Sequence, residues 1–315
     1  MKKSIKRDII QVNGTKRGDS VKKHKLLIIL NPRAGKMKTK KTISDLVNVF
    51  KNEGYLVSVA STKSRCHATK IVIKKGKKYD VIVCCGGDGT LNEVLSGIVK
   101  LKNPPKLGYI PSGTTNDFAS GLKLSKNTLI AAKKILKGKQ YSIDLGDFDG
   151  RTFSYIASFG AFTEVSYKTP QELKNMWGHM AYIIEGIKDI KNIKPYHVKV
   201  TADGNVYEDE YIFGSVSNAM SIGGVLKLDP KVAKLDDGLF EVMLIKMPKN
   251  LMELQRIGEC FIRRHFDDGI INFIQASEIE IEAPKEMNWS LDGEYQQGKE
   301  LIKIKNINQA VKMLI

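Results

Sequence analysis

Three short segments of this 315-residue chain combine residue types suited to holding phosphate: Asn31-Pro32-Arg33-Ala34-Gly35-Lys36, Gly86-Gly87-Asp88-Gly89-Thr90-Leu91-Asn92-Glu93 and Pro111-Ser112-Gly113-Thr114-Thr115-Asn116-Asp117-Phe118-Ala119. Glycine lets backbone amides come up to phosphate oxygens with no Cβ in the way and tolerates positive φ. Lys36 in front of a helix adds its charge to amides and a positive dipole end that already favour an anion. Asp88 is the odd member, because a carboxylate beside phosphate repels it unless a cation mediates; it points to Mg²⁺, bound directly or through water. One glycine-rich turn after a strand is as often only a tight turn, but three in successive units are harder to dismiss. Neither G-x-x-x-x-G-K-[ST] nor a well-placed G-x-G-x-x-G occurs, which argues against an ordinary P-loop ATPase or a dinucleotide dehydrogenase.

The elements that must position these segments follow from the hydrophobic pattern. Leu26 to Leu30, Tyr55 to Val59, Asp80 to Cys85 and Leu107 to Ile110 read as strands, the apolar runs as strands buried on both faces. Between and after them, Ile43, Leu46, Val47 and Phe50 recur at helix spacing, and Thr69 to Lys75, Leu91 to Val99 and Thr128 to Lys137 read as helices. Such alternation predicts an α/β domain with a parallel sheet, whose ligands bind beyond the carboxyl ends of its strands. From about Tyr141 the pattern changes to strand after strand: Ser142 to Phe148, Thr152 to Phe159, His197 to Thr201, Glu210 to Ser217, Leu239 to Ile245 and Ile279 to Glu282. Helices at Gln171 to Ile190 and Asn250 to Arg264 interrupt them, and Asp203-Gly204 reads as a turn. The expectation is a basic flexible tail over 1–25, a nucleotide-binding α/β domain over 26–140 to which 301–315 returns, and an antiparallel, sandwich-like β-rich domain over 141–300.

With these residues in hand, the chain resembles the diacylglycerol kinase catalytic family, in its soluble bacterial lipid-kinase branch. The resemblance rests on Asn31-Pro32, Gly86 to Thr90, Gly113 to Ala119, Leu235-Asp236-Asp237-Gly238-Leu239-Phe240 and Leu291-Asp292-Gly293-Glu294, in that order. It implies an ATP site made by Asn31, Pro32, Arg33, Ala34 and Gly35 with Lys36 beside them, by Thr62, by Gly86, Gly87, Asp88, Gly89, Thr90, Asn92 and Glu93, and by Thr114. It implies a catalytic Mg²⁺ held through water by Asp88 and Asp117, a structural Mg²⁺ at Asp237 with backbone oxygens near Lys234 and Leu239, and Glu294 as general base. The base's task is modest, since phosphoryl transfer passes through a loose transition state and depends mainly on positioning and charge neutralisation. Without the family, Asp292-Gly293-Glu294 and Asp236-Asp237-Gly238 would both read as turns. Asp144 matches a family position near the site and is equally a turn residue. Asp229 stands where many relatives have a small residue. Trp177, His179 and Met180 could line a lipid groove or simply pack a helix on the sheet.

Composition bounds the partners. The net charge of +17 sits in the first third, where residues 1–100 carry 23 Lys/Arg against 7 Asp/Glu. Such a field suits nucleotide phosphates or an anionic membrane surface, and no aromatic-interleaved basic motif argues for nucleic acid. Cys66, Cys84, Cys85 and Cys260 form no C-x-x-C pair and read as reduced thiols of a cytoplasmic protein. No run approaches the ~20 apolar residues that span a bilayer, so membrane contact is expected to be peripheral. The expected function is transfer of the γ-phosphoryl group of Mg-ATP to a lipid hydroxyl, with diacylglycerol the leading substrate, the lipid alcohol presented by the second domain at a cleft with the first, and a homodimer allowed. The rivals are an NAD kinase-like nucleotide kinase, which shares the glycine-aspartate-glycine-threonine loop, and a catalytically silent lipid- or nucleotide-binding regulator.

Overall fold

The computed structural model describes residues 9–11, 23–34, 40–114, 116–160, 194–218, 221–222, 226–227, 234–263, 266 and 269–315. The apolar runs of the first third are buried as predicted. Every residue from Leu26 to Leu30 in β2 (Lys25–Leu30) and all six of β4 (Val81–Gly86) are covered, which requires helices on both faces. On one face, α1 (Lys40–Asn52) inserts Leu46, Val47 and Phe50, and α5 (Thr128–Lys137) adds Ala131, Ala132 and Ile135 to the same core. Elsewhere α2 (His67–Lys75) and α3 (Asp88–Ile98) meet closely: a Cβ on Gly97 would fall 2.7 Å from Val72.

The strands β3 (Leu56–Ser61), β2, β4 and β5 (Lys106–Pro111) lie side by side and parallel in that order. Register sets Leu30 against Cys85 and Cys85 against Ile110, so the carboxyl ends of β2, β4 and β5 are level. The last strand, β18 (Leu301–Leu314), ends as a parallel neighbour of β5, with Met313 opposite Leu107. At the other edge, three residues of the segment read as a tail form β1 (Ile9–Gln11), antiparallel to β3. Edge pairing needs only backbone groups and no apolar periodicity, so composition gave no sign of it.

The chain divides into two compact units, Met1–Ile143 with Ala310–Ile315 and Asp144–Gln309. In the second, β10 (Asn205–Ser217) runs for 13 residues and changes partners along its length. Its first half pairs with β9 (Tyr196–Ala202) across the Asp203-Gly204 turn, where both φ angles are positive, as a two-residue hairpin requires. Past a register shift between Tyr211 and Phe213, the second half pairs with β8 (Ile156–Gly160) and β13 (Phe240–Lys246). Strands β14 (Ile271–Ala276), β15 (Glu278–Glu282) and β16 (Trp289–Leu291), with β17 (Glu294–Gln296), extend these pairings. The core between them centres on Trp289, whose ring meets Phe148 and Phe159 edge-on at 5.1 and 4.9 Å. Two two-residue strands, β11 (Ser221–Ile222) and β12 (Leu226–Lys227), pair with each other, and α6 (Leu251–Arg263) packs Leu254, Ile257 and Cys260 into a second cluster.

Two sequence expectations change. The run Thr152 to Phe159 is not one strand: β7 (Arg151–Phe153), which pairs with β6 (Gln140–Phe148), stops at Ser154, and β8 starts at Ile156. The carboxylate of Asp292 accepts the amides of Ser154, Tyr155 and Ile156 and so takes them out of any ladder. Secondly, α3 begins at Asp88, three residues before its predicted start, so the glycine-aspartate-glycine-threonine motif is the first turn of a helix instead of a loop in front of one. The helix expected over 171–190, together with Trp177, His179, Met180 and Asp229, lies outside the described residues.

Candidate functional site

Within the first unit, the level carboxyl ends of β2, β4 and β5 bring three predicted segments to one edge of the sheet. Asn31 ties them together. Its amide bonds the Cys85 carbonyl at 3.0 Å, its Nδ2 donates to Thr90 Oγ1 at 3.0 Å, and its Oδ1 accepts the Arg33 amide at 3.0 Å. Pro32 and Arg33 are exposed beyond it and Ala34 is buried, while Gly35 and Lys36 lie outside the described residues. Thr62, at the end of β3, donates its amide to the Leu30 carbonyl at 2.8 Å and so borders the same edge.

Gly87 caps α3 without a side-chain bond, and the amides of Gly89 and Thr90 have no preceding turn to bond. Those amides and the helix dipole make a place for an anion. Gly86 and Gly113 are required for close approach. A Cβ on Gly86 would lie 2.5 Å from the Cβ of Thr90, and one on Gly113 would lie 2.5 Å from Gly87 Cα. The third segment is shaped by Asn116, in the left-handed region at φ 57° and buried. It accepts the Gly113 amide at 2.9 Å, donates to the Gly113 carbonyl at 2.7 Å, and takes a longer bond from the Tyr109 hydroxyl at 3.4 Å. Asp88 accepts the Phe118 amide at 3.3 Å, which places it beside the start of α4 (Asp117–Gly121) and so next to Asp117. Thr114 is exposed on that loop.

Glu93 is bonded to a neighbouring helix. Its carboxylate accepts the amides of Cys66 at 2.7 Å and Ala68 at 3.0 Å, and its carbonyl accepts the Thr69 hydroxyl, so it caps the amino end of α2. Asn92, one residue earlier on α3, accepts from Ser96 Oγ at 3.5 Å. Burial raises the pKa of the Cys84 and Cys85 thiols, which keeps both protonated and inert beneath the site.

In the second unit, Asp292 and Gly293 form a two-residue turn with φ of 50° and 83° that sets Leu291 opposite Glu294. Asp292 anchors it, taking the Ser154 hydroxyl at 2.8 Å in addition to the three amides. Burial pushes this carboxyl's pKa up, and the bonds from Ser154, Tyr155 and Ile156 oppose the rise without cancelling it. Glu294 stands just past the turn with its side chain 46% exposed, open to a reactant, and its Oε2 is 3.0 Å from Arg151. Arg151 also donates to the Tyr295 carbonyl at 2.9 Å and to Gln296 at 2.8 Å, which fixes the guanidinium that holds Glu294.

A second carboxylate, Asp144, is fully buried and clamps another loop. Its two oxygens each accept an amide at 2.6 Å, from Gly238 and from Gln309, and its own amide donates to the Leu235 carbonyl at 2.7 Å. This bends the Leu235–Leu239 turn, where Gly238 has φ of 81° and Asp237 accepts the Leu239 amide. Burial first, then the negative charges of Asp237 and Asp236, raise the pKa of Asp144 against the pull of its amide bonds. Crowded negative charge of this kind fits a divalent cation at Asp237 with the carbonyls of Lys234 and Leu239. Among the described residues, no three His, Cys, Asp or Glu side chains converge as a metal cluster of their own.

Residues 25–148 match the diacylglycerol kinase catalytic domain, and residues 157–314 match the YegS C-terminal NAD kinase beta sandwich-like domain. The chain is 35% identical over 271 residues to a diacylglycerol kinase of Bacillus subtilis (strain 168), covering 85% of this chain and 89% of that one. It belongs to the diacylglycerol kinase family. A diacylglycerol kinase of Staphylococcus aureus (strain bovine RF122 / ET3-1) is likewise 35% identical over 270 residues, 85% of each chain. The crystal structure of a diacylglycerol kinase from Bacillus anthracis str. Sterne superimposes with a TM-score of 0.71 at 26% identity, covering 93% of this chain and 97% of that chain.

The protein is therefore a lipid kinase with a mixed α/β first unit and an antiparallel β second unit. No helix among the described residues is long and apolar enough to cross a membrane. For this family member the structure adds three residues that sequence reasoning did not single out: Asn116, which shapes the third loop; Tyr109, which buttresses it; and Arg151, which holds Glu294. An asparagine in a glycine-threonine run before a short helix is a signal for a left-handed turn. Arg151 had none, because its contact with Glu294 joins residues 143 positions apart.

Proposed function

We infer that this lipid kinase transfers the γ-phosphoryl group of Mg-ATP to the hydroxyl of diacylglycerol, giving phosphatidic acid. The observation that carries the reading is the gathering of Asn31, the α3 amino terminus and the Gly113–Asn116 loop at one edge of the parallel sheet, where anionic phosphate finds amides and a helix dipole. In this proposal the first unit binds the nucleotide and the second presents the lipid. Asp88, with Asp117 next to it in the fold, holds the catalytic cation, which when bound neutralises charge on the transferring phosphate. Asp237, with the carbonyls of Lys234 and Leu239, holds a structural one.

Glu294 is the general base. Its exposed carboxylate accepts the lipid hydroxyl proton as the new P–O bond forms and the bond to the leaving ADP oxygen breaks, and Arg151 keeps it oriented until then. Asn31, Thr90 and the α3 amides bind and align the phosphates, so most of the acceleration comes from positioning. The relatives named diacylglycerol kinase support this acceptor over other lipid alcohols. We further propose peripheral binding to anionic membranes from the cytoplasmic side.

The test is transfer of label from γ-labelled ATP to a panel of diacylglycerol, other lipid alcohols and NAD, with wild type and Asp88→Ala. Label in phosphatidic acid that disappears with the variant is expected. Label in another lipid would replace the acceptor, and label in NAD alone would overturn the reading.

A further inference from the structure

α6 (Leu251–Arg263) buries one side and shows the other, and the shown side is not an ordinary solvated face. Its exposed residues fall on two adjacent rows of the helix surface, Leu251, Gln255 and Ile262 on one and Met252, Arg256, Glu259 and Arg263 on the next. Met252 is 73% exposed, Ile262 64% and Leu251 55%; among the described residues these are three of the four most exposed large apolar side chains. Single exposed apolar residues are normal, whereas three on one helix face need a partner.

Charge says which partner. Arg256 and Arg263 share the face, with Lys249 exposed just ahead of the helix, against one exposed carboxylate, Glu259, which pairs with Arg263 at 3.4 Å. Apolar side chains mixed with cations on a helix that cannot span a bilayer are what an interfacial helix uses: the apolar groups enter the acyl boundary while guanidinium groups meet lipid phosphates. An acidic protein would be met by the arginines alone and would leave Met252 and Ile262 without a role.

We propose that the outward face of α6, through Leu251, Met252 and Ile262 with Arg256 and Arg263, docks this kinase on anionic membranes. The proposal rests on the reading that the substrate is a membrane lipid, because such a substrate obliges the enzyme to come to the bilayer.

The full-length protein is mixed with sucrose-loaded vesicles of phosphatidylglycerol and phosphatidylcholine, and pelleting is compared for wild type and L251Q/M252Q/I262Q. Glutamine keeps helix propensity at exposed sites, so the fold is retained. Vesicle affinity should fall at least tenfold in the triple variant, and the emission of Met252→Trp should shift to the blue when vesicles of phosphatidylglycerol are added. Equal pelleting of both proteins, no pelleting of wild type, or no shift from the tryptophan would each overturn the proposal. So would loss of self-association in sedimentation velocity with vesicle binding unchanged, which would assign the face to a second copy. Water-soluble short-chain diacylglycerol, assayed without vesicles, should be phosphorylated equally by both proteins. If neither phosphorylates it while vesicle binding still depends on α6, the substrate reading fails and the docking surface stands.

Discussion

Replacing Asp292 by Asn tests whether this carboxylate is the structural foot of the hairpin that carries Glu294. One oxygen takes both the Ser154 amide and hydroxyl, and the other takes the amides of Tyr155 and Ile156. An asparagine does best by turning its Nδ2 toward Ser154, whose hydroxyl can rotate to accept, but the Ser154 amide then faces a donor. One buried amide without an acceptor costs about 1–3 kcal/mol, and two formerly charge-assisted bonds weaken. Relief from burying a charge offsets part of this, leaving a loss of about 2 kcal/mol. At about 2–4 °C per kcal/mol, the unfolding midpoint of a unit of this size falls by about 4–8 °C. Linkage gives a second reading of the same variant. Because the folded-state pKa of Asp292 lies above its unfolded value, the protonated form is favoured in the fold. Its contribution is fully present below the unfolded value of about 3.9 and declines as pH rises through the folded one. The stability gap between wild type and Asp292→Asn is therefore widest in acid and narrows toward neutral pH. Thermal melts from pH 3.5 to 7.5 measure both. A variant as stable as wild type at every pH, or a gap that widens with pH, would refute the argument.

Glu294→Gln should lower kcat at least 100-fold with the KM for ATP and the melting midpoint unchanged; full turnover would remove Glu294 as base. Glu93→Gln should destabilise the first unit by about 1 kcal/mol, through loss of the α2 cap, and leave the KM for ATP within about twofold. A large rise in that KM would show that Glu93 serves the nucleotide after all. Gly113→Ala places a Cβ 2.5 Å from Gly87 Cα and forces two loops apart, so it should cost about 1–3 kcal/mol and raise the KM for ATP more than that for lipid. Calorimetry and steady-state kinetics decide each of these.

The parallel sheet was legible because its strands announce themselves: Leu26 to Leu30 and Val81 to Cys85 are apolar throughout, and α5 begins and ends where the periodicity from Thr128 to Lys137 does. Strands of the second unit were legible only where they alternate or run apolar over many residues. Trp289–Leu291 and Glu294–Gln296 are three residues each, and the hairpin they make is fixed in the sheet by the pairing of Trp289–Leu291 with Phe159 to Ala157, far away in the chain. No window of sequence contains that information. The same limit explains the Ser154 break, whose cause, Asp292, lies 138 positions later.

Site residues were legible as types but not as duties, and the deciding quantity is how many of a carboxylate's acceptor sites the protein itself fills. Glu93 and Asp144 each take two backbone amides, and Asp292 takes three with a hydroxyl. Groups committed in this way hold turns and helix ends, and their motif positions reflect the geometry they impose. Glu294 meets the Arg151 guanidinium at an exposed site, and Asp237 accepts the Leu239 amide of its own turn. Both lie at the surface, where a proton or a cation can reach them. A sequence motif such as Leu291-Asp292-Gly293-Glu294 thus contains a scaffold residue and a chemical one two positions apart. Exchanging Asp292 for Asn should change stability first and turnover through it, and exchanging Glu294 for Gln should change turnover alone.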